Sequence, residues 1–109
     1  EAAEATKSEL LASMSAIPAA TYRDALICFT SPRERFDFAK LDMPVLMMTG
    51  EHDRLAPPSE IRAVAGRIVD AQPRADVQYE TIPGVGHVCN VEGPAAYNAH
   101  LIPFLQRLL

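Results

Sequence analysis

The feature that most constrains the fold is the short apolar run "PVLMMTG", which begins at Pro44 and ends at Gly50. Residues 45–48 are all apolar and do not alternate with polar ones, a pattern typical of a strand that helices cover on both faces. Strands of this kind belong to parallel sheets. The run therefore predicts a buried strand of a parallel α/β sheet.

The residues that follow alternate between helical and strand patterns. Pro57 and Pro58 suit the start of a helix, and the apolar positions behind them have the spacing of an amphipathic helix. These apolar positions are Ile61, Val64, Ala65, Ile68 and Val69. The stretch "ADVQYETIP" alternates as a half-exposed strand does, a loop is predicted over 83–92, and Gly93 with Pro94 starts a final helix. Strands that alternate with helices indicate the α/β class.

The segment before the apolar run is predicted to be helical. Residues 1–16 and 19–30 each carry an apolar stripe at helical spacing, Pro18 separates them, and a charged connector follows over 31–42. Two strands are too few for a parallel sheet covered on both faces, and the chain opens with Glu1 inside a helical pattern. We therefore expect an N-terminal segment of a longer protein to precede this chain.

Composition excludes several classes of function. The 109 residues suffice for one small domain, and the net charge of -4 is spread over interspersed charges rather than a basic stripe, so we expect no nucleic-acid partner. No apolar run approaches the ~18 residues of a membrane span, and there is no signal-leader pattern. The two cysteines have neither metal-ligand spacing nor a disulfide framework, which favours a cytoplasmic protein.

Two loops carry side chains suited to catalysis. Asp53 follows the first strand and His87 follows the second, both at carboxyl ends, where ligands bind in open α/β sheets. Adjacent parallel strands would bring these loops side by side. An aspartate that accepts the Nδ1 proton of a histidine fixes the tautomer and leaves Nε2 free to take a proton from a hydroxyl or a water. The pair predicts an acid–base site.

The same segments resemble the α/β-hydrolase family. "MPVLMMTGEHDRLAPP" is similar to the strand and loop that carry the catalytic acid, with Gly50, Asp53 and Pro57 at the motif positions. "IPGVGHVCNVEGPAAY" is similar to the histidine loop and closing helix, with His87 and Glu92 at theirs. The triad order in that family is Ser, then Asp, then His, and the last two members stand here in that order.

The resemblance implies a fold and an activity. Residues 1–40 would be the end of a helical cap and its connector, and 41–109 the C-terminal part of the core. Within the family, "HVCNVEGPAAY" is most similar to 3-oxoadipate enol-lactonases, with haloperoxidase-like esterases close by. This implies hydrolysis of a small-molecule ester or lactone with Asp53 and His87 as catalytic residues, without a cofactor or a metal. Homo-oligomerisation stays open.

The nucleophile of such a triad is absent from the sequence. No Ser, Cys or Asp stands in the Gly-x-Ser-x-Gly frame around any of the five glycines. The missing N-terminal segment is therefore expected to carry it. A non-catalytic fragment or binding module, and a haloperoxidase-like or dehalogenase-like relative, remain as alternatives.

Other candidate residues have simpler interpretations. His52 lies between two acids without metal-ligand spacing, and His100 is expected at the surface of the final helix. Cys89 lacks the nucleophile elbow and fits a small, partly buried side chain, whereas Glu92 is expected to tether the loop or the helix start. Gly84-Val85-Gly86 lacks the third glycine of a dinucleotide motif, and the pair Arg33 and Arg35 fits a solvated connector better than a contact to an acidic substrate.

Overall fold

A computed structural model describes residues 2–31 and 37–109 of the chain. The described residues belong to two compact units, residues 2–31 in the first and residues 37–109 in the second. Residues 32–36, and with them Arg33 and Arg35, lie outside the described residues. Within the described ranges, no helix combines the length and the apolar character needed to cross a membrane.

The described part of the first unit contains two helices. α1 spans Ala2–Ser15 and α2 spans Ala19–Thr30, with Pro18 at the N-cap of α2, so both predicted helices are confirmed. The apolar stripe predicted for α2 is not buried in this chain, and Phe29 is 84% exposed. The assignment of this unit to a helical cap stays a prediction.

The second unit is a two-stranded parallel sheet with helices. β1 (Val45–Gly50) pairs in parallel with β2 (Val77–Ile82), and α3 (Pro58–Ala71) connects the two strands. α4 (Cys89–Glu92) and α5 (Pro94–Arg107) follow β2. The mixed α/β class and the parallel pairing predicted from the sequence are therefore present.

The two long helices of this unit lie on opposite faces of the sheet. The hydroxyl of Tyr79 donates a hydrogen bond to the carbonyl of Pro58 in α3 at 3.1 Å. The same hydroxyl forms a hydrogen bond with the hydroxyl of Thr81 at 2.9 Å. The next residue, Glu80, is 3.6 Å from His100 of α5. Because successive side chains of a strand point to opposite faces, α3 and α5 cover different faces of β2.

Three sequence predictions need correction. Residues 45–48 of β1 are half-buried rather than buried, because β2 is the only strand that pairs with β1 in the described part of the chain. The loop predicted over 83–92 contains the single turn α4. The connector contains a 3₁₀ turn at Phe38–Lys40, where the Asp37 carboxylate accepts the N–H of Ala39 at 3.2 Å.

The core lies directly beneath the loop that carries His87. Ile82, at the end of β2, is fully buried, and Val85 and Cys89 pack with it. Met48, Ala96 and Tyr97 cover this cluster from β1 and α5. The loop after β2 is thus anchored in apolar packing on one side.

Candidate active site

The two predicted site loops start at the same edge of the sheet. Gly50 and Ile82 are register partners at the ends of β1 and β2, so the chain leaves both strands side by side. The N–H of Glu51 donates to the carbonyl of Ile82 at 2.9 Å, and the N–H of His52 donates to the carbonyl of Val85 at 2.9 Å. These two hydrogen bonds continue the ladder of the sheet into the loops.

The close approach of the loops depends on Gly50. A Cβ atom on Gly50 would lie 2.0 Å from the carbonyl oxygen of Gly86 and 2.6 Å from that of Val85. Real Cβ contacts are essentially never below 3.0 Å. The strand must therefore end in glycine for the histidine loop to reach its place.

Asp53 is buried in a tight turn that fixes its carboxylate. Its side chain is only 4% exposed, and its N–H donates to the carbonyl of Gly50 at 3.1 Å. Oδ1 accepts the N–H groups of Leu55 and Ala56, each at 2.9 Å. With Oδ1 held by two amides, Oδ2 points toward the neighbouring loop.

Thr49 supports this turn from inside the strand, and the sequence interpretation missed it. Its hydroxyl donates to the carbonyl of Ala56 at 2.9 Å and lies 3.5 Å from Asp53 Oδ2. A hydroxyl has one proton to donate, so Thr49 donates it to the closer acceptor, the carbonyl of Ala56. Thr49 is only 2% exposed. The sequence signal that could have identified it is its position as a single polar residue at the end of an apolar run.

The carboxyl of Asp53 is a stronger acid than usual. The hydrogen bond from the Ala56 amide lowers its pKa most, burial works in the opposite direction, and the hydrogen bonds from His87 and Leu55 lower it further. The net effect holds the pKa of Asp53 below its ordinary value of 3.8. Asp53 is therefore an anion near neutral pH.

His87 meets this anion through Nδ1. The distance from His87 Nδ1 to Asp53 Oδ2 is 2.9 Å. An ionised carboxylate only accepts hydrogen bonds, so chemistry assigns the proton to Nδ1 and, in the neutral ring, leaves the lone pair on Nε2. The His87 side chain is 54% exposed, and no hydrogen bond to its Nε2 occurs within the described residues. This nitrogen is available to take a proton from a bound molecule.

Two carboxylates hold the histidine loop to its surroundings. Glu51 accepts the N–H of Gly84 at 2.8 Å, and Gly84 has a positive φ of 69°. Glu92 accepts the N–H groups of Gly86 and Val88. The tethering role predicted for Glu92 is confirmed, whereas the contact of Glu51 was not foreseen.

The remaining candidates do not join the pair. Cys89 is buried, and burial raises the pKa of its thiol, which leaves it in the unreactive neutral form. His52 lies 3.9 Å from Glu51, and the described residues contain no group of side chains that could hold a metal ion. His100, expected at the surface, is half-buried against Glu80 because α5 packs on the sheet.

The described residues thus form an ionised carboxylate and an imidazole in contact at the carboxyl edge of a parallel sheet. Comparison with family models, with curated proteins and with solved structures finds no match to this chain. An assignment of activity therefore depends on the chemistry of this pair and on the motifs that surround it.

Proposed function

We propose that this chain supplies the acid and base residues of an α/β-hydrolase that cleaves a carboxylic ester or a lactone. The observation that carries the proposal is the 2.9 Å contact between His87 Nδ1 and Asp53 Oδ2. The contact lies at the sheet edge where open α/β folds bind their ligands. Both loops resemble the α/β-hydrolase family, and the closing segment "HVCNVEGPAAY" resembles 3-oxoadipate enol-lactonases, with haloperoxidase-like esterases close by. This resemblance favours a lactone or an ester as the substrate.

The nucleophile in this proposal is a serine on a segment outside the 109 residues. No residue of the chain occupies a nucleophile elbow, and a buried neutral Cys89 thiol is a poor substitute. The exposed side of His87 is the place where a serine hydroxyl on a neighbouring strand would meet Nε2. We place the hydrolase in the cytoplasm, where free thiols such as those of Cys28 and Cys89 stay reduced.

The acylation step follows from this arrangement. Serine Oγ bonds to the substrate carbonyl carbon while His87 Nε2 takes the hydroxyl proton. The tetrahedral intermediate then expels the leaving oxygen, which receives the proton from Nε2 as the carbon–oxygen bond breaks. The products are an acyl-serine and an alcohol, or, for a lactone, one ring-opened acyl chain that carries the new hydroxyl.

Deacylation repeats the same proton path with water. His87 Nε2 takes a proton from a water molecule, whose oxygen bonds to the acyl carbon, and the proton then passes to the departing serine oxygen. Throughout both steps Asp53 keeps its charge and stabilises the imidazolium. The lowered pKa of Asp53 suits this role, because the carboxylate stays ionised beside a ring that gains and loses a proton.

The experiment that tests the proposal begins with the intact mass of the purified, denatured protein. A polypeptide beyond the 11.9 kDa chain, or a longer chain that includes it, would provide the nucleophile-bearing segment. That material is then assayed against a panel of esters, lactones and haloalkanes. Turnover of esters or lactones that a serine-directed fluorophosphonate abolishes supports the proposal.

Two other results would overturn it. A single 11.9 kDa species without hydrolysis would indicate a non-catalytic module. Turnover confined to haloalkanes and insensitive to the fluorophosphonate would indicate a dehalogenase-like relative. His87→Gln should abolish the turnover, and His100→Gln is its matched control. His100 pairs with Glu80 and not with Asp53, so its loss should leave the turnover in place.

A further inference from the structure

The histidine loop contains one carboxylate that binds the backbone on both sides of His87. Glu92 Oε2 accepts the N–H of Gly86 at 2.9 Å, and Glu92 Oε1 accepts the N–H of Val88 at 3.0 Å. A single side chain therefore holds the residue before His87 and the residue after it. Hydrogen bonds to a charged acceptor are stronger than those between neutral groups.

Glu92 is an exposed residue whose carboxylate lies close against the loop backbone. A Cβ atom on Gly86 would lie 3.3 Å from both carboxylate oxygens, so the carboxylate rests directly against the backbone before His87. Gly93, the next residue, packs more closely still, because a Cβ there would lie 3.0 Å from Val85 Cγ1. Val85 belongs to the buried cluster below the loop, so Glu92 is anchored to the core through its neighbour.

We propose that Glu92 is a positioning residue that sets the direction of the His87 ring. This inference rests on the proposed function, in which His87 is the general base, and it names Glu92 as the residue that keeps His87 aligned with Asp53. The half-exposed ring of His87 has one direct polar partner in the described residues, the Asp53 carboxylate. A shift of the backbone around His87 would carry Nδ1 away from Oδ2, and Glu92 opposes that shift by holding Gly86 on one side and Val88 on the other.

A purely local role for Glu92 makes a different prediction. Val88 is the N-cap of α4, and Glu92 accepts its N–H, as the glutamate of a capping box does from a position one residue earlier. If capping were its whole role, loss of Glu92 would lower stability and leave the contact of His87 with Asp53 intact. The test must therefore observe His87 directly.

The proposed test is proton NMR of the isotope-labelled chain. A proton on Nδ1 that is hydrogen-bonded to a carboxylate gives a resonance far downfield, and this readout needs no nucleophile. We expect the resonance in the parent chain and in the control Glu60→Gln, which alters an exposed glutamate of α3. Glu92→Ala should lose the resonance, with circular dichroism used to check that the sheet and helices remain.

A second variant keeps the test decisive if Glu92→Ala does not fold. Glu92→Gln has one carbonyl oxygen, so it accepts from only one of the two amides, and we expect a broadened or shifted resonance. Unchanged His87 resonances in Glu92→Gln and in any folded Glu92→Ala would overturn the inference.

Activity gives an independent readout in the hydrolase with its nucleophile segment. We expect Glu92→Ala to lower kcat by about 100-fold with KM unchanged, because small misplacement of a catalytic group costs about that much. An unchanged kcat would contradict the inference. If no variant and no parent hydrolyses any substrate while the NMR result holds, the proposed function fails and the positioning of His87 by Glu92 stands.

Discussion

Gly50→Ala is the substitution that most sharply tests how the strands build the site. The added methyl group would lie 2.0 Å from the Gly86 oxygen, where ordinary van der Waals contact begins at 3.4 Å. Both atoms that meet the methyl group most closely are backbone oxygens, so no side-chain rotation relieves the overlap. Space, and not backbone conformation, sets this requirement, because Gly84 alone has a positive φ among the described glycines.

The expected loss of stability follows from the contacts that are disrupted when the added methyl group displaces the histidine loop. Overpacking in a tight site costs about 1–3 kcal/mol. The displacement also breaks the two hydrogen bonds that Glu51 and His52 donate to the second loop, each worth about 1 kcal/mol. We therefore expect the free energy of unfolding to fall by about 4 kcal/mol, together with loss of the 2.9 Å contact between His87 and Asp53.

Urea unfolding followed by circular dichroism measures the first effect, and the downfield proton of His87 reports the second. Gly66→Ala is the matched control, because a Cβ on that helical glycine meets nothing within 4 Å. Alanine in a helix interior should raise stability there by about 1 kcal/mol. A Gly50→Ala chain with the parent's unfolding midpoint and an intact His87 resonance would refute the reasoning.

Three further predictions concern single groups of the site. Because the pKa of Asp53 is lowered, its carboxylate stabilises the fold above pH 3.8, and this contribution is lost as the pH falls through the lowered pKa. The difference in free energy of unfolding between the parent and Asp53→Asn should therefore become smaller over that pH range. A difference that does not change with pH would contradict this prediction. Thr49→Val should cost about 1–3 kcal/mol in urea unfolding by leaving the Ala56 carbonyl unpaired, whereas Thr49→Ser should cost less. Iodoacetamide should alkylate the exposed Cys28 well before the buried Cys89. Equal alkylation rates for the two cysteines would contradict the assignment of Cys89 as an unreactive thiol.

Local patterns predicted the framework of the second unit well. The apolar run, the helical spacing after Pro58 and the alternation before Pro83 lie where β1, α3 and β2 are found. The position of two polar residues after two parallel strands also predicted that Asp53 and His87 meet, and their 2.9 Å contact is present. Whether the pair is catalytic stays a prediction.

Features that depend on distant contacts could not be predicted from these patterns. The hydrogen bond from Gly84 to Glu51 joins residues from separate loops, and it exists because the register brings Gly50 beside Ile82. The single turn α4 is too short to show a helical period. The half-buried state of β1 depends on which strands surround it, and that information is not contained in the run itself.

The central claim, that Asp53 and His87 act as one catalytic unit, is tested most directly by a double-mutant cycle on turnover. In the proposed hydrolase with its nucleophile segment, Asp53→Asn should lower kcat by about 10⁴-fold and His87→Gln by about 10⁶-fold. Residues that act as a unit are strongly non-additive, so the double variant should lose little more than the worse single variant. Near-normal turnover in either single variant, or losses that multiply in the double variant, would contradict the claim.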